Sequence, residues 1–188
     1  MTPSIKTTII LILTLLASFP CFASENRLSV FNTDYFTINL PVQMRQVGRN
    51  EIPFLNDKKG ISYVFVESDK AREKSIMLII SLEKNDHPVN NDSKDKALNE
   101  LAKTLHDTAG EDFEECRGFT TGIVVTRISG QKAYYFERRN KNCVVTLERH
   151  WATINGNNSC LIYLARPGKL DNAVARSVIN GIVKIKLK

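Results

Sequence analysis

The chain has 188 residues, and its 26 Lys or Arg side chains against 20 Asp or Glu give a formal net charge of +6 at pH 7. This length suits one domain with a sizeable core. The basic residues are scattered rather than massed into a tract, and no platform of stacking aromatics accompanies them, which argues against a nucleic-acid-binding protein.

Residues 1–23 have the pattern of a secretory signal peptide. Lys6 is the positive n-region, residues 9–17 form an apolar core, and Cys21-Phe22-Ala23 places small residues at the cleavage site. The apolar run is shorter than the about 20 residues that a membrane-spanning helix needs, and Pro20 would end it. We therefore predict cleavage after Ala23, a periplasmic or secreted location, and a single mature domain over residues 24–188 with no integral membrane segment.

Cys21 raises a lipoprotein signal as an alternative. A lipobox has a Leu three residues before its Cys and small residues between them, whereas Ser18-Phe19-Pro20 precede Cys21 here. Soluble export is therefore preferred over lipidation.

The first half of the mature chain predicts strands. After a lead-in over residues 24–33, alternation over residues 35–40 places Phe36, Ile38 and Leu40 on one face of a strand that Pro41 stops. Further along, two β-branched runs separated by a charged segment predict an antiparallel pair, whose second member is apolar on both faces at residues 76–80 and is expected at the centre of a sheet. The two runs are Ile61–Glu67 and Ser75–Leu82.

A helix is predicted over Asn90–Ala109. Asp92 or Ser93 is placed to cap its start, and Gly110 to close its end. Apolar residues at helical spacing form one stripe that we expect to be buried, and charged residues fill the other side. The stripe consists of Leu98, Leu101, Ala102 and Leu105.

The second half predicts a meander followed by a helix. The strands are separated by short turns, among which the Asn-Gly pair at 155–156 is a strong hairpin signal. The predicted strands are 122–128, 133–138, 142–153 and 159–165, with turns at 129–130, 139–141 and 155–158. The helix covers 170–180 with Leu170, Val174, Val178 and Ile179 buried, and 183–187 forms a short closing strand. Because strands and helices do not alternate as βαβα, the fold class is α+β, an antiparallel sheet with helices packed on it.

Three cysteines remain after cleavage, and an oxidising compartment favours one disulfide among them. A turn near Gly156 would set Cys160 opposite roughly Ala152, far from Cys143. Cys116 and Cys143 are expected at the same end of the sheet, so we predict a Cys116–Cys143 disulfide. Cys160 is then a buried thiol, with a reactive thiol as the alternative.

Catalytic patterns are weak. His150 with Cys160 is the pair that a hydrolase could use, but we prefer a solvent-facing His150 and a core thiol. The acidic run Glu111–Glu115 is expected to be a solvated loop or an acidic face for a basic partner. The spacing of Cys and His predicts no metal site, and no cofactor-binding motif is present in the sequence.

An aromatic cluster gives the most suggestive binding surface. Tyr135 beside Arg138 and Arg149, with Trp151 on the following strand, could anchor a partner, since Tyr, Trp and Arg dominate binding hot spots. Aromatic packing between strands is the alternative interpretation and the preferred one.

The chain resembles the PsbP/DcrB-like group. The resemblance rests on Phe36-Thr37-Ile38-Asn39-Leu40-Pro41, which is similar to the opening strand of that group, and on a closing helix Val174–Ile182 that runs into Val183–Leu187. It implies an α/β/α sandwich on a curved antiparallel sheet. It also implies a non-enzymatic accessory or interaction protein, since most members are of that kind and many are exported.

Taken together, these patterns predict an exported, non-enzymatic protein-binding or accessory protein of the bacterial periplasm. Its partner is expected to be another protein, and one specific form is an immunity protein against a toxin delivered to the periplasm. The alternatives are a periplasmic hydrolase using His150 and an envelope- or lipid-associated accessory protein. A modestly basic chain fits an acidic partner or an anionic membrane, but ordinary solubility charge is the preferred interpretation.

Overall fold

The computed structural model describes residues 27–48, 60–68, 75–85, 89, 91–110, 117–141, 143, 145–167 and 173–188. The predicted signal peptide, the acidic run at 111–115, Cys116 and Leu170 lie outside the described residues. What the sequence predicts for them therefore stays a prediction.

The described strands form a small and a large antiparallel sheet. In chain order the elements are β1 Leu28–Asn32, β2 Phe36–Pro41, β3 Met44–Val47, β4 Ile61–Glu67, β5 Met77–Lys84, α1 Asn91–Gly110, β6 Arg117–Thr120, β7 Val124–Ile128, β8 Gln131–Lys141, β9 Val145–Asn155, β10 Asn158–Pro167, α2 Ala173–Val183 and β11 Lys186–Leu187. The small sheet has the order β1-β2-β11 and the large one β3-β4-β5-β10-β9-β8-β6, with β7 also paired to β8. This confirms the α+β class.

The two faces of the large sheet pack against different partners. One face, with Ile80, Ile162 and Trp151, forms a core with β2 and α2, and we call it the α2 face. The other, with Ala152 and Ile154, packs against α1, and we call it the α1 face. Neighbouring residues of a strand point to opposite faces, which is why Trp151 and Ala152 are separated. The helices therefore lie on opposite faces of the sheet.

The small sheet contains both a confirmed prediction and a missed strand. Phe36, Ile38 and Leu40 are almost completely buried, as the alternation predicts. The predicted lead-in, however, contains β1, which pairs with β2 from Leu28 opposite Pro41 onward. Its burial alternates between half-buried and exposed residues, so its apolar pattern is weak in the sequence.

The predicted pair of β-branched runs is also confirmed. β4 and β5 are antiparallel, with Tyr63 opposite Ile80. β5 lies between β4 and β10, inside the sheet. Leu78 and Ile80 are fully buried on the α2 face, whereas Ile79 on the other face is half-buried. The apolar run is therefore interior, with its two faces covered to different extents.

Both helices are confirmed with shifted ends. α1 begins at Asn91, so Asp92 and Ser93 lie in its first turn instead of capping it, and Leu98 and Ala102 are buried as predicted. α2 runs to Val183 rather than ending at residue 180. Neither of these helices, the two within the described ranges, is long and apolar enough to cross a membrane.

The buried face of α2 differs from the predicted one. It consists of Ala175, Val178, Gly181 and Ile182, whereas Val174 and Ile179 are only half-buried. Gly181 explains this rotation, because a Cβ atom there would lie 2.3 Å from the carbonyl oxygen of Asn39. Only a residue without a side chain allows α2 to approach β2 so closely.

The meander is confirmed except at one turn. Ser129 and Gly130 both have positive φ, as a two-residue hairpin turn requires. The turn predicted at residues 139–141 is wrong: β8 continues to Lys141, because β6, which the sequence did not predict, pairs with it there. After the turn at Gly156 and Asn157, Cys160 lies opposite Thr153, one residue from the predicted Ala152.

Candidate functional site

The structure separates the four residues proposed as a binding surface. Tyr135, Arg149 and Trp151 lie on the α2 face, with the Tyr135 and Trp151 rings 5.0 Å apart between centroids. Trp151 is 6% exposed, so this pair shows the aromatic cross-strand packing given as the alternative interpretation. Arg138 lies on the α1 face and is 3% exposed.

A polar group surrounds Tyr135 on the α2 face. The Tyr135 hydroxyl donates a hydrogen bond to Oε1 of Glu137, and Arg149 Nε lies 3.0 Å from the same oxygen. Arg139 Nη2 is 3.5 Å from the other carboxylate oxygen. Burial and the Glu137 hydrogen bond raise the pKa of Tyr135 well above its usual value, so the hydroxyl stays protonated.

A second polar network lies on the α1 face. Arg138 Nε donates to Asn140 Oδ1 at 2.6 Å, and Asn140 Nδ2 donates to Glu148 Oε1 at 2.6 Å. Nε2 of His150 is 3.4 Å from the other Glu148 oxygen. Burial opposes ionisation of Glu148, but the Asn140 hydrogen bond and the neighbouring His150 and Arg138 outweigh it and lower the pKa of Glu148.

His150 is half-buried within an aromatic row rather than facing solvent, which corrects the preferred prediction. Its ring stacks on Phe136 at 4.5 Å and meets Tyr163 edge-on at 5.1 Å. The His106 ring also contacts Phe136, with 5.1 Å between the ring centroids, and its Nε2 is 2.9 Å from the carbonyl oxygen of Thr121. His150 thus contributes to packing on the α1 face.

The Cys160–His150 pair is not formed. Cys160 lies opposite Thr153 on the α2 face, whereas His150 points to the α1 face. Cys160 is completely buried, as predicted, and burial raises the pKa of its thiol to about 12. A nucleophile and its base must reach hydrogen-bond distance, and these two side chains are separated by the sheet.

The predicted disulfide is only partly within the described residues. Cys143 is disulfide-bonded and Cys160 is a free thiol. Arg117, which follows Cys116 in the chain, lies opposite Lys141, close in sequence to Cys143. The shared end of the sheet agrees with the proposed pairing, but Cys116 lies outside the described part, so the Cys116–Cys143 bond stays a prediction.

A further surface, which the sequence did not predict, lies at the edge of the large sheet. Arg117 of β6 is opposite Lys141 of β8, and Phe119 is opposite Arg139. Directly opposed residues share one face of a sheet, so all four are on the α2 face, and all are exposed. Val124 of β7 lies opposite Tyr135, so it is on the same face, and it is also exposed. We call these five residues the edge patch: Arg117, Phe119, Val124, Arg139 and Lys141.

The edge patch was not predicted because its two strands have weak local sequence patterns. Arg139 and Lys141 belong to the polar run Arg138–Lys141, which resembles a turn. The partner strand β6 is only Arg117–Thr120. Residues 137–141 of β8 are all polar, so the apolar alternation that marks a half-buried strand does not continue to its end.

Metal ligation is not indicated by the described ranges. They contain no group of three or more His, Cys, Asp or Glu side chains arranged to hold a metal ion.

The strand order and the placement of the helices define an α+β protein built on antiparallel sheets. Within this class the fold is PsbP-like. The structure is similar to the solution structure of cyanobacterial PsbP (CyanoP) from Synechocystis sp. PCC 6803, with a TM-score of 0.55 and 14% identity, over 87% of this chain and 94% of that one. The resemblance noted from the sequence is thereby confirmed for PsbP, and its DcrB-like part stays a prediction.

A second solved structure supports the same fold. A crystal structure from Bacteroides thetaiotaomicron VPI-5482 is similar with a TM-score of 0.51 and 15% identity, covering 81% of this chain and 45% of that one. No family model matches the sequence. No curated protein matches it either.

Proposed function

We propose that this protein is exported to the periplasm and acts by binding another protein there, without catalysing a reaction. The observation that carries the proposal is the edge patch. Phe119 is 54% exposed and Val124 is 56% exposed, and they share a face with three exposed cations. Aromatic and Arg side chains are enriched in protein interfaces, and grouped apolar exposure at a sheet edge is typical of an interaction site.

The reactive groups of the described chain support a binding role over hydrolysis. The thiol of Cys160 is buried with its pKa raised to about 12, and the His150 ring is packed between Phe136 and Tyr163. A catalytic thiol is ordinarily partly exposed with a lowered pKa. Cys160 lies in the core and His150 is held in an aromatic stack, and this supports binding over hydrolysis.

The signal-peptide pattern of residues 1–23 and the disulfide-bonded Cys143 support the location, because disulfides persist in oxidising compartments. An immunity protein against a periplasm-delivered toxin is the specific form of this proposal. Identification of the captured partner as a toxin would establish that form.

The test is capture of partners from periplasmic extract by the mature protein and two matched variants. The first variant carries Phe119→Ser with Val124→Ser in the edge patch. The second carries Leu28→Ser with Val30→Ser on β1, where both side chains are also more than half exposed. We expect the first to lose at least tenfold of the captured partner and the second to keep it. Equal capture by all three proteins would refute the edge patch as the binding surface.

The hydrolase alternative has its own test. We expect His150→Ala to retain biological activity once circular dichroism shows that the variant is folded. Loss of activity in a folded His150→Ala variant that still captures the partner would favour catalysis.

A further inference from the structure

The edge patch has a regular spacing of charge along the sheet. Arg117 and Lys141 form one cross-strand row, and Phe119 and Arg139 form the next row on that face. Rows on the same face are two residues apart, which is about 6.6 Å in a strand. An extended chain lying beside the patch repeats its own side chains at the same interval, so its alternate residues would meet successive rows.

The patch has an excess of positive charge. In the described strands β6 and β8, Glu137 is the only carboxylate. Its oxygens already lie beside Arg149 and Arg139. Within the same described ranges, no ion pair of Arg117 or Lys141 is seen. A complementary partner surface is therefore anionic at the Arg117 end.

The charges change along the patch in a fixed order. On β8, Lys141 and Arg139 are followed on the same face by Glu137 and then by Tyr135, which lies opposite Val124. A uniformly anionic membrane surface would bring negative charge against Glu137 as well. A polypeptide can place its carboxylates at the basic end and an apolar residue at the Val124 end.

We propose that the edge patch binds an acidic, extended segment of the partner protein. The segment carries two carboxylates at alternate positions, which meet the rows of Lys141 and Arg139, and an apolar residue about four positions further on, which meets Val124. This inference rests on the proposed binding function and adds the chemistry of the partner.

The probe is a fluorescein-labelled peptide on a Thr and Ser background, with Glu at alternate positions and Val four residues after the second Glu. Binding is measured by fluorescence anisotropy. The control peptide has the same composition as the probe, but its two Glu residues are adjacent, so that they point to opposite sides of an extended chain. Because a single exposed ion pair contributes little to affinity, we expect this control peptide to bind about threefold more weakly.

The protein variants separate site recognition from net charge. Arg139→Glu with Lys141→Glu reverses two charges in the patch, and Lys184→Glu with Lys186→Glu reverses two exposed charges elsewhere. We expect the first variant to lose affinity by about tenfold and the second by less than about twofold. Equal losses would show attraction by net charge alone and would overturn the proposal.

Two other occupants are outcomes of the same experiment. Binding to phosphatidylglycerol vesicles that depends on Arg139 and Lys141, without peptide binding, would assign the patch to a membrane surface. A large gain in peptide affinity when the acidic residues of 111–115 are changed to amides would assign it to the chain's own acidic segment. Either result overturns the proposal. Failure of the peptide while Phe119→Ser with Val124→Ser still abolishes capture would refute the acidic segment and leave the binding function intact.

Discussion

The run Arg138 to Lys141 builds two regions of opposite character from neighbouring residues. Arg138 and Asn140 point to the α1 face and belong to the partly buried network with Glu148. Arg139 and Lys141 point to the α2 face at the sheet edge and are exposed. Arg138 is 3% exposed, whereas the side chain of Arg139 is 60% exposed. The pleat of one strand therefore decides which cation stabilises the fold and which is available to a partner.

Substitutions in the two regions should change stability by different amounts, because water can replace a lost contact only in the exposed region. Removing one member of a buried charged network leaves its partners desolvated and unpaired. An exposed cation keeps its hydration whether or not a carboxylate is near. Four changes test this contrast.

The largest expected effect comes from Arg138→Ala, because it leaves Asn140 and Glu148 without their cationic neighbour. We expect the free energy of unfolding to fall by about 3 kcal/mol. The matched change Arg139→Ala should cost less than about 0.5 kcal/mol. Urea unfolding followed by circular dichroism measures both. Similar losses for the two arginines would mean that the contrast between the regions does not exist.

Gly118→Ala should disturb both regions at once. A Cβ atom at Gly118 would lie 2.6 Å from Asn140 Oδ1 and 2.7 Å from the carbonyl oxygen of Arg139. Because one of these atoms belongs to the backbone, β6 must move, and overpacking of this kind costs about 1–3 kcal/mol. The control is Gly122→Ala, where nothing lies within 4 Å. Thermal unfolding and peptide binding of both variants show whether close pairing of β6 with β8 is needed for binding at the edge patch. A Gly118→Ala protein with unchanged stability and unchanged peptide affinity would show that it is not.

The pH dependence of stability should report on Glu148. Its pKa in the folded protein lies below the ordinary value of 4.5, so ionisation stabilises the fold above that value, and this contribution is lost as the pH falls through the folded pKa. We expect the difference in unfolding free energy between the wild type and Glu148→Gln to be largest at neutral pH and to shrink below about pH 4.5. Urea titrations from neutral pH to about pH 3 measure it. A difference that does not change with pH would exclude this role of the carboxylate.

The contrast also explains which parts of the structure were accessible from sequence. Alternation predicted β2, and helical spacing predicted α1, since each pattern reports the burial of one face. The Arg-Arg-Asn-Lys run was misassigned to a turn because its polarity is satisfied by distant residues, through Glu148 on β9 and through pairing with β6. Such partners are not visible in local sequence.

The candidate binding residues show the same limit. Tyr135 and Arg138 are three positions apart, so in a continuous strand they must point to opposite faces. The predicted strand 133–138 already contains both residues, so its alternation contradicts the grouping of Arg138 with Tyr135. β6 could not be predicted because four residues that include a glycine have almost no pattern of their own.

The smallest expected effect on stability comes from the outward residues themselves. Arg117→Ala with Lys141→Ala removes two exposed cations with no ion pair seen in the described chain, so the free energy of unfolding should stay within about 0.5 kcal/mol of the wild type. Lys132→Ala, which breaks an exposed 2.8 Å ion pair with Asp95, gives the scale for a surface contact. If the double variant is as stable as the wild type and binds the acidic peptide more weakly, the exposed row contributes to recognition and not to folding. A clear loss of stability would instead place these cations within the fold.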